Sequence, residues 1–152
     1  MKIQLKVTQK SPKVEISKWI RQQLKAEFPE CKFSVVTRHG RNIDIALMEA
    51  PFEVFEAGED GRYRDTRGNP IVGYAQLNEY ALRDEYNKDK RMTNGVTLTR
   101  KAWKVMSRVA VIMNEHNFDY SDIQSDYFFV NYYTSVAIGK WDKPFTKSPR
   151  RE

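Results

Sequence analysis

The sequence predicts a two-layer α+β domain: a mainly antiparallel sheet of about five strands with two main helices. Three observations lead there. Apolar residues alternate at a period of two in several short runs, and they recur at helical spacing in two longer ones. A chain of 152 residues also suits one domain with one core. Apolar residues at 40% and aromatics at 12% can furnish that core, while 30% charged residues and a mean hydropathy of −0.71 argue against a membrane-embedded chain. No run approaches the ~20 consecutive apolar residues of a membrane span. The opening Met1-Lys2-Ile3-Gln4-Leu5-Lys6 lacks the apolar stretch of a secretory signal, so the expected location is the cytoplasm, with no membrane partner. The domain is expected to fill residues 1–141, with 142–152 a flexible basic tail.

Each element has its own signal. Ile3, Leu5 and Val7 alternate with lysines and polar residues, as in a half-buried strand protected at its edge. Ser11-Pro12 supplies a cap and a first-turn proline. Ile16, Trp19, Ile20, Leu24 and Phe28 then line one helical face until Pro29 stops it. Cys31, Phe33 and Val35, followed by Ile43, Ile45 and Leu47, form two alternating runs about the loop Arg38-His39-Gly40-Arg41-Asn42, the pattern of a β-hairpin. Residues 51–70, rich in glycine, proline and charge, read as a mobile excursion that could hold a second hairpin. From Ile71 to Tyr86 the pattern fits a strand or a helix, and the strand is narrowly preferred.

Leu98-Thr99 caps a strong helix whose apolar face is Ala102, Val105, Met106, Val109, Ile112 and Met113, ending near Asn117. After a polar turn, Tyr127 to Ile138 has the aromatic and β-branched composition of a central strand.

Charge is unevenly placed. The net charge is +6, yet residues 1–25 and 87–110 each carry a net +6, the segment from Lys140 carries +3, and residues 44–85 carry −6. Such a molecule is electrostatically lopsided. Its basic faces suit phosphate backbones or acidic protein surfaces, although solvated helix sides and an edge strand explain lysines equally well.

Catalytic constellations are sparse. Cys31 lacks a second cysteine for a disulfide or a thiolate metal site, and its place beside Phe33 suits a buried apolar role better than a nucleophilic pair with His39 or His116. His39 fits a solvated turn and His116 a helix C-terminus. Asp119, Asp122 and Asp126 match no EF-hand spacing, and Gly58-Glu59-Asp60-Gly61 is no phosphate loop. Neither a catalytic residue nor a metal or other cofactor is expected. Tyr127, Phe128, Phe129, Tyr132 and Tyr133 could stack nucleobases on an open sheet face or fill the core.

Two tracts resemble a known family. Glu15 to Val36, through Leu24-Lys25, Phe28-Pro29 and Lys32-Phe33-Ser34-Val35, is similar to the opening helix and first strand of the large polyvalent protein-associated domain of the twenty-ninth type, found in proteins of phages, plasmids and conjugative elements. Ser121 to Phe145 resembles the closing segment of small mobile-element proteins with that opening, and the middle departs freely. The resemblance implies proteins that help incoming DNA survive restriction or CRISPR immunity, and it transfers no catalytic residue. The expected function is therefore an anti-defence protein of anti-CRISPR type. It would bind stoichiometrically to a CRISPR effector or other defence nuclease of the bacterial host, with guide RNA or DNA as possible contacts. Arg38, Arg41, Arg100, Lys101, Lys104, Arg108 and Lys140 would meet phosphates or acidic pockets, with Trp141 as an anchor. The alternatives are a nucleic-acid-binding accessory protein of a mobile element and a small enzyme with an unrecognised site.

Overall fold

The computed structural model describes residues 7, 12–117 and 132–149. Helix α1 spans Lys13–Glu27. Pro12 stands just outside it as the cap residue: its φ of −56° suits the entry, and its carbonyl accepts from the N–H groups of Glu15 and Ile16 at 3.0 and 3.1 Å. At the other end the Phe28 N–H donates to the Leu24 carbonyl, and Pro29 has no N–H to continue the ladder. Ile16, Trp19, Ile20 and Leu24 are buried, the face expected from their spacing.

Strands β1 (Lys32–Arg38) and β2 (Asn42–Ala50) form the predicted antiparallel hairpin. His39 and Gly40 both take positive φ at its tip, as a type I′ turn requires. Strand β3 (Ala75–Leu77), helix α2 (Glu79–Leu82), a small ribbon of β4 (Met92–Thr93) with β5 (Val96–Thr97), and helix α3 (Arg100–Asn114) follow. Strands β6 (Tyr133–Ile138) and β7 (Thr146–Lys147) complete the main sheet.

The α+β class holds, and the sheet is mixed. Its order is β1-β2-β6-β3, with β7 also on β2. The β1·β2 and β3·β6 pairs are antiparallel, whereas β2·β6 and β2·β7 are parallel. A parallel neighbour needs a long crossover. Here the crossover carries everything from Pro51 to Asn117, α3 included.

Register explains the layering. Ile45 stands between Val35 and Val136, and Leu47 pairs with Ile138. All five are buried in one core with the apolar faces of α1 and α3. The opposite face carries the rows Val36, Asp44, Ser135 and Ser34, Ala46, Ala137, Gln76, which no helix covers among the described residues.

Several expectations need correction. The 51–70 excursion is held in place: Phe52, Val54 and Phe55 belong to the core, and Phe55 bridges Leu98. A bridge between Arg64 and Pro70 closes a small hairpin there, stabilised by the Asp65 carboxylate accepting from the Arg67 and Asn69 N–H groups. In 71–86 the strand is only three residues long. The Asn78 side chain accepts from the Tyr80 N–H and turns the chain into α2, while buried Thr93 holds both backbone groups of Asn78. Beyond Trp141 the chain is not loose as far as residue 149: β7 joins the sheet, Phe145 packs on the core, and Lys147 pairs with Glu53. The first strand, apart from Val7, and residues 118–131, which include Asp119, Asp122, Asp126, Tyr127, Phe128 and Phe129, lie outside the described residues.

One junction depends on two glycines. Gly139, at the end of β6, and Gly73 both have positive φ, and the Phe145 N–H donates to the Gly73 carbonyl at 2.7 Å. A Cβ at Gly139 would lie 2.1 Å from that carbonyl oxygen. Only glycine permits so close a backbone approach.

Candidate anionic-partner interface

Helix α3 begins at Thr99, whose Oγ1 accepts from the Ala102 N–H and donates to the Glu53 carbonyl. That start sets the rotation of the helix. Ala102, Val105, Met106, Val109, Ala110 and Met113 enter the core, and Arg100, Lys101, Lys104 and Arg108 are left on the outer side. The spacing of 100, 104 and 108 is i, i+4, i+8, so three cations share one stripe. On α1, Lys18, Arg21 and Lys25 make a second exposed stripe. Glu27 and Arg108 join the helices at 2.5 Å.

The acids are differently employed. Asp44 pairs with Arg38, Glu49 with Lys32, Glu56 with Arg91, Asp60 with Arg64, and Glu85 with Lys88. Glu53 accepts from Tyr63 and Lys147, which hold its carboxyl below the usual range. Asp84 accepts from a backbone N–H, as Asp65 does, and Glu79 from Asn114 and Thr134. The acids of the middle segment therefore serve largely to tie it to the rest of the domain. Arg100, Lys104, Lys18 and Lys25 have no such partner among the described residues. Lys101 lies with its Nζ 5.6 Å from the centroid of the Phe52 ring, and Arg21 donates to the Val35 carbonyl.

The eight residues singled out in the sequence do not form one patch. Arg100, Lys101, Lys104 and Arg108 lie on the helix layer. Arg38, Lys140 and Trp141 lie on the open sheet face, and Arg41 sits at the hairpin tip. A two-layer domain places the first and second groups on opposite sides. Arg38 is tied to Asp44, whose hydrogen bond raises the guanidinium above its ordinary value. Trp141 is 84% exposed and borders a shallow groove of about 230 Å³ together with Val36, Ala46, Tyr74 and Ala137. Tyr74 and Val36 were overlooked in the sequence. Val36 was legible as the outward phase of the β1 alternation.

The suspected thiol chemistry is separated in space. Cys31 is buried, and its thiol is pushed up to about 12, chiefly by burial and then by Glu30, with Lys101 opposing. His39 lies at the far end of β1, roughly 20 Å along a seven-residue strand. His116 meets Trp19 edge-on with ring centroids 4.5 Å apart, at the end of α3 remote from Lys101. Among the described residues no group of three or more His, Cys, Asp or Glu could hold a metal ion, and no helix is long and apolar enough to cross a membrane.

A family model described as large polyvalent protein associated domain 29 matches residues 11–121, and the chain belongs to that family. The match takes in the opening tract from Glu15 to Val36 and runs on through the middle, which the resemblance had treated as divergent; it ends where the closing tract begins. No curated protein and no solved structure matches the chain.

Proposed function

We propose that this family member is an anti-defence protein of a mobile element, of anti-CRISPR type, and that it acts by stoichiometric binding. Its partner is a host CRISPR effector or other defence nuclease complex, engaged at an anionic surface that includes guide RNA or target DNA. One observation carries the reading: most acids of residues 44–85 are bonded within the domain, while the outer side of the helix layer presents Lys18, Lys25, Arg100 and Lys104 with no ion-pair partner among the described residues. A rigid cationic face of this kind attracts phosphates by counterion release and reads no sequence. Family membership supplies the setting, because it associates the chain with large polyvalent proteins. In this reading the chain makes or breaks no covalent bond, and it works in the cytoplasm of the bacterial host.

A second reading is direct binding of nucleic acid as an accessory protein of the element. The exposed rings of Tyr74, Tyr133 and Trp141 favour it, because open rings stack on unpaired bases. The test is retention of the purified protein on a panel of reconstituted effector complexes, beside bare RNA and DNA of matched length. Arg100→Glu with Lys104→Glu should abolish retention and leave thermal unfolding unchanged. Tight binding to bare nucleic acid alone would favour the accessory role, and no retention by any partner would end both readings.

A further inference from the structure

Away from the basic helix face, α2, the end of α3 and the start of β6 enclose an open cleft of about 690 Å³. Its chemistry is distinctive. Several amide side chains line it: Asn117 is bonded through both its amide atoms to Asn114 and Tyr132, whereas Asn78 uses its Oδ1 on the Tyr80 N–H and Asn94 its Nδ2 on the Gln76 carbonyl, so the Asn78 Nδ2 donor and the Asn94 Oδ1 acceptor have no partner among the described residues. One carboxylate enters it. Glu79 Oε2 accepts from Asn114 Nδ2 at 3.1 Å and Thr134 Oγ1 at 2.7 Å. Those bonds fix the group while its Oε1 has no hydrogen-bond partner among the described residues. Two rings stand at the border: Tyr80 is 71% exposed and Tyr133 54% exposed. The Arg83 guanidinium lies 5.4 Å from the Tyr80 ring centroid and is the cleft's only cation among the described residues.

Such a cleft selects by edge and by plane. Glu79 and Arg83 offset each other in charge, so the interior favours a neutral heterocycle with a single anionic group outside it. A carboxylate oxygen only accepts hydrogen bonds. It therefore rewards an exocyclic amino group and repels a carbonyl at the same place. The Asn78 Nδ2 donor and the Asn94 Oδ1 acceptor suit the adjoining donor–acceptor edge, and exposed tyrosines suit the flat faces.

We propose that this cleft binds one unstacked, amino-bearing nucleobase, with Glu79 accepting from its amino group, Tyr80 or Tyr133 against its face, and Arg83 toward its phosphate. The base comes from a free nucleotide or from an unpaired position in a single strand. The site is separate from the helix-layer interface and does not depend on it.

The experiment is calorimetric and NMR titration of the full chain with AMP, CMP, GMP and UMP, and with four-residue A, C and U oligonucleotides. The expected result is saturable binding of amino-bearing bases, at least tenfold tighter than of uracil, with shifts confined to residues of the cleft. Tyr80→Ala should weaken binding about 5- to 100-fold. Glu79→Gln, which can donate as well as accept, should narrow the preference against uracil. A tighter fit for oligonucleotides than for mononucleotides would assign the base to a strand, and equal affinity to a free nucleotide. Absence of binding to any of these probes, or binding indifferent to both substitutions, would overturn the proposal. So would binding of simple sugars in place of nucleotides. Arg100→Glu with Lys104→Glu should leave mononucleotide affinity unchanged, which keeps this site distinguishable from the helix layer.

Discussion

Gly139 is a position where a single methyl group decides the outcome. An added Cβ meets the Gly73 carbonyl and the Phe145 N–H in a backbone of φ +64°. Gly40 has nearly the same φ, with open space around it. Gly139→Ala should therefore cost about 3 kcal/mol or more, and Gly40→Ala about 1 kcal/mol, read as midpoint shifts in urea unfolding. Cys31 supports a second prediction. Its buried thiol binds a proton up to about 12, against an ordinary 9.0, so between those values the folded chain holds more protons than the unfolded one. Stability is complete below about 9 and declines as pH rises toward 12. Cys31→Ala should flatten that part of the profile, and the native thiol should resist alkylation at neutral pH until denaturant is added.

At the scale of elements, α3 depends on its first residue outside the helix. Thr99→Ala removes both the cap to Ala102 and the bond to the Glu53 carbonyl. A loss of about 1–2 kcal/mol in chemical denaturation is expected, with Thr99→Ser nearly neutral. Both long helices and the hairpin were legible in the sequence, because period, caps and turn residues all act within a few positions. The short pieces were not. Whether Ala75–Leu77 becomes a strand depends on Ile138, Ala137 and Val136, more than fifty residues away. Whether Thr146–Lys147 is a tail depends on Glu49 and Ala50. The 51–70 stretch looked mobile because its glycines and charges outnumber Phe52, Val54 and Phe55, yet those three anchor it. The cleft at Glu79 left no sequence trace, since Asn78, Asn94, Asn117 and Tyr133 come from four separate stretches.

For the molecule as a whole, the distribution of ion pairs matters more than the net charge. Effector retention through the helix layer should weaken steeply with salt, and each cation removed from a phosphate contact should lower the log–log slope by about 0.9 for duplex DNA. Trp141→Ala, on the other side, should leave that slope unchanged; a change would mean that both sides touch one partner. The basic residues stand out as a class in the sequence, and their division between two sides follows from the layering and from the Arg38–Asp44 pair.

The parallel pairing of β2 with β6 has a consequence for the timing of folding. Asn42 and Tyr133 are partners separated by ninety-one positions, so the middle of the sheet cannot be laid down until the chain that follows α3 has been synthesised. A growing polypeptide that ends before Tyr133 exposes one long side of the hairpin and the flank of Ile43, Ile45 and Leu47 against which Val136 and Ile138 later pack. Ribosome-stalled fragments of that length should be cut readily by protease and clump on release, and fragments extended past Lys147 should resist.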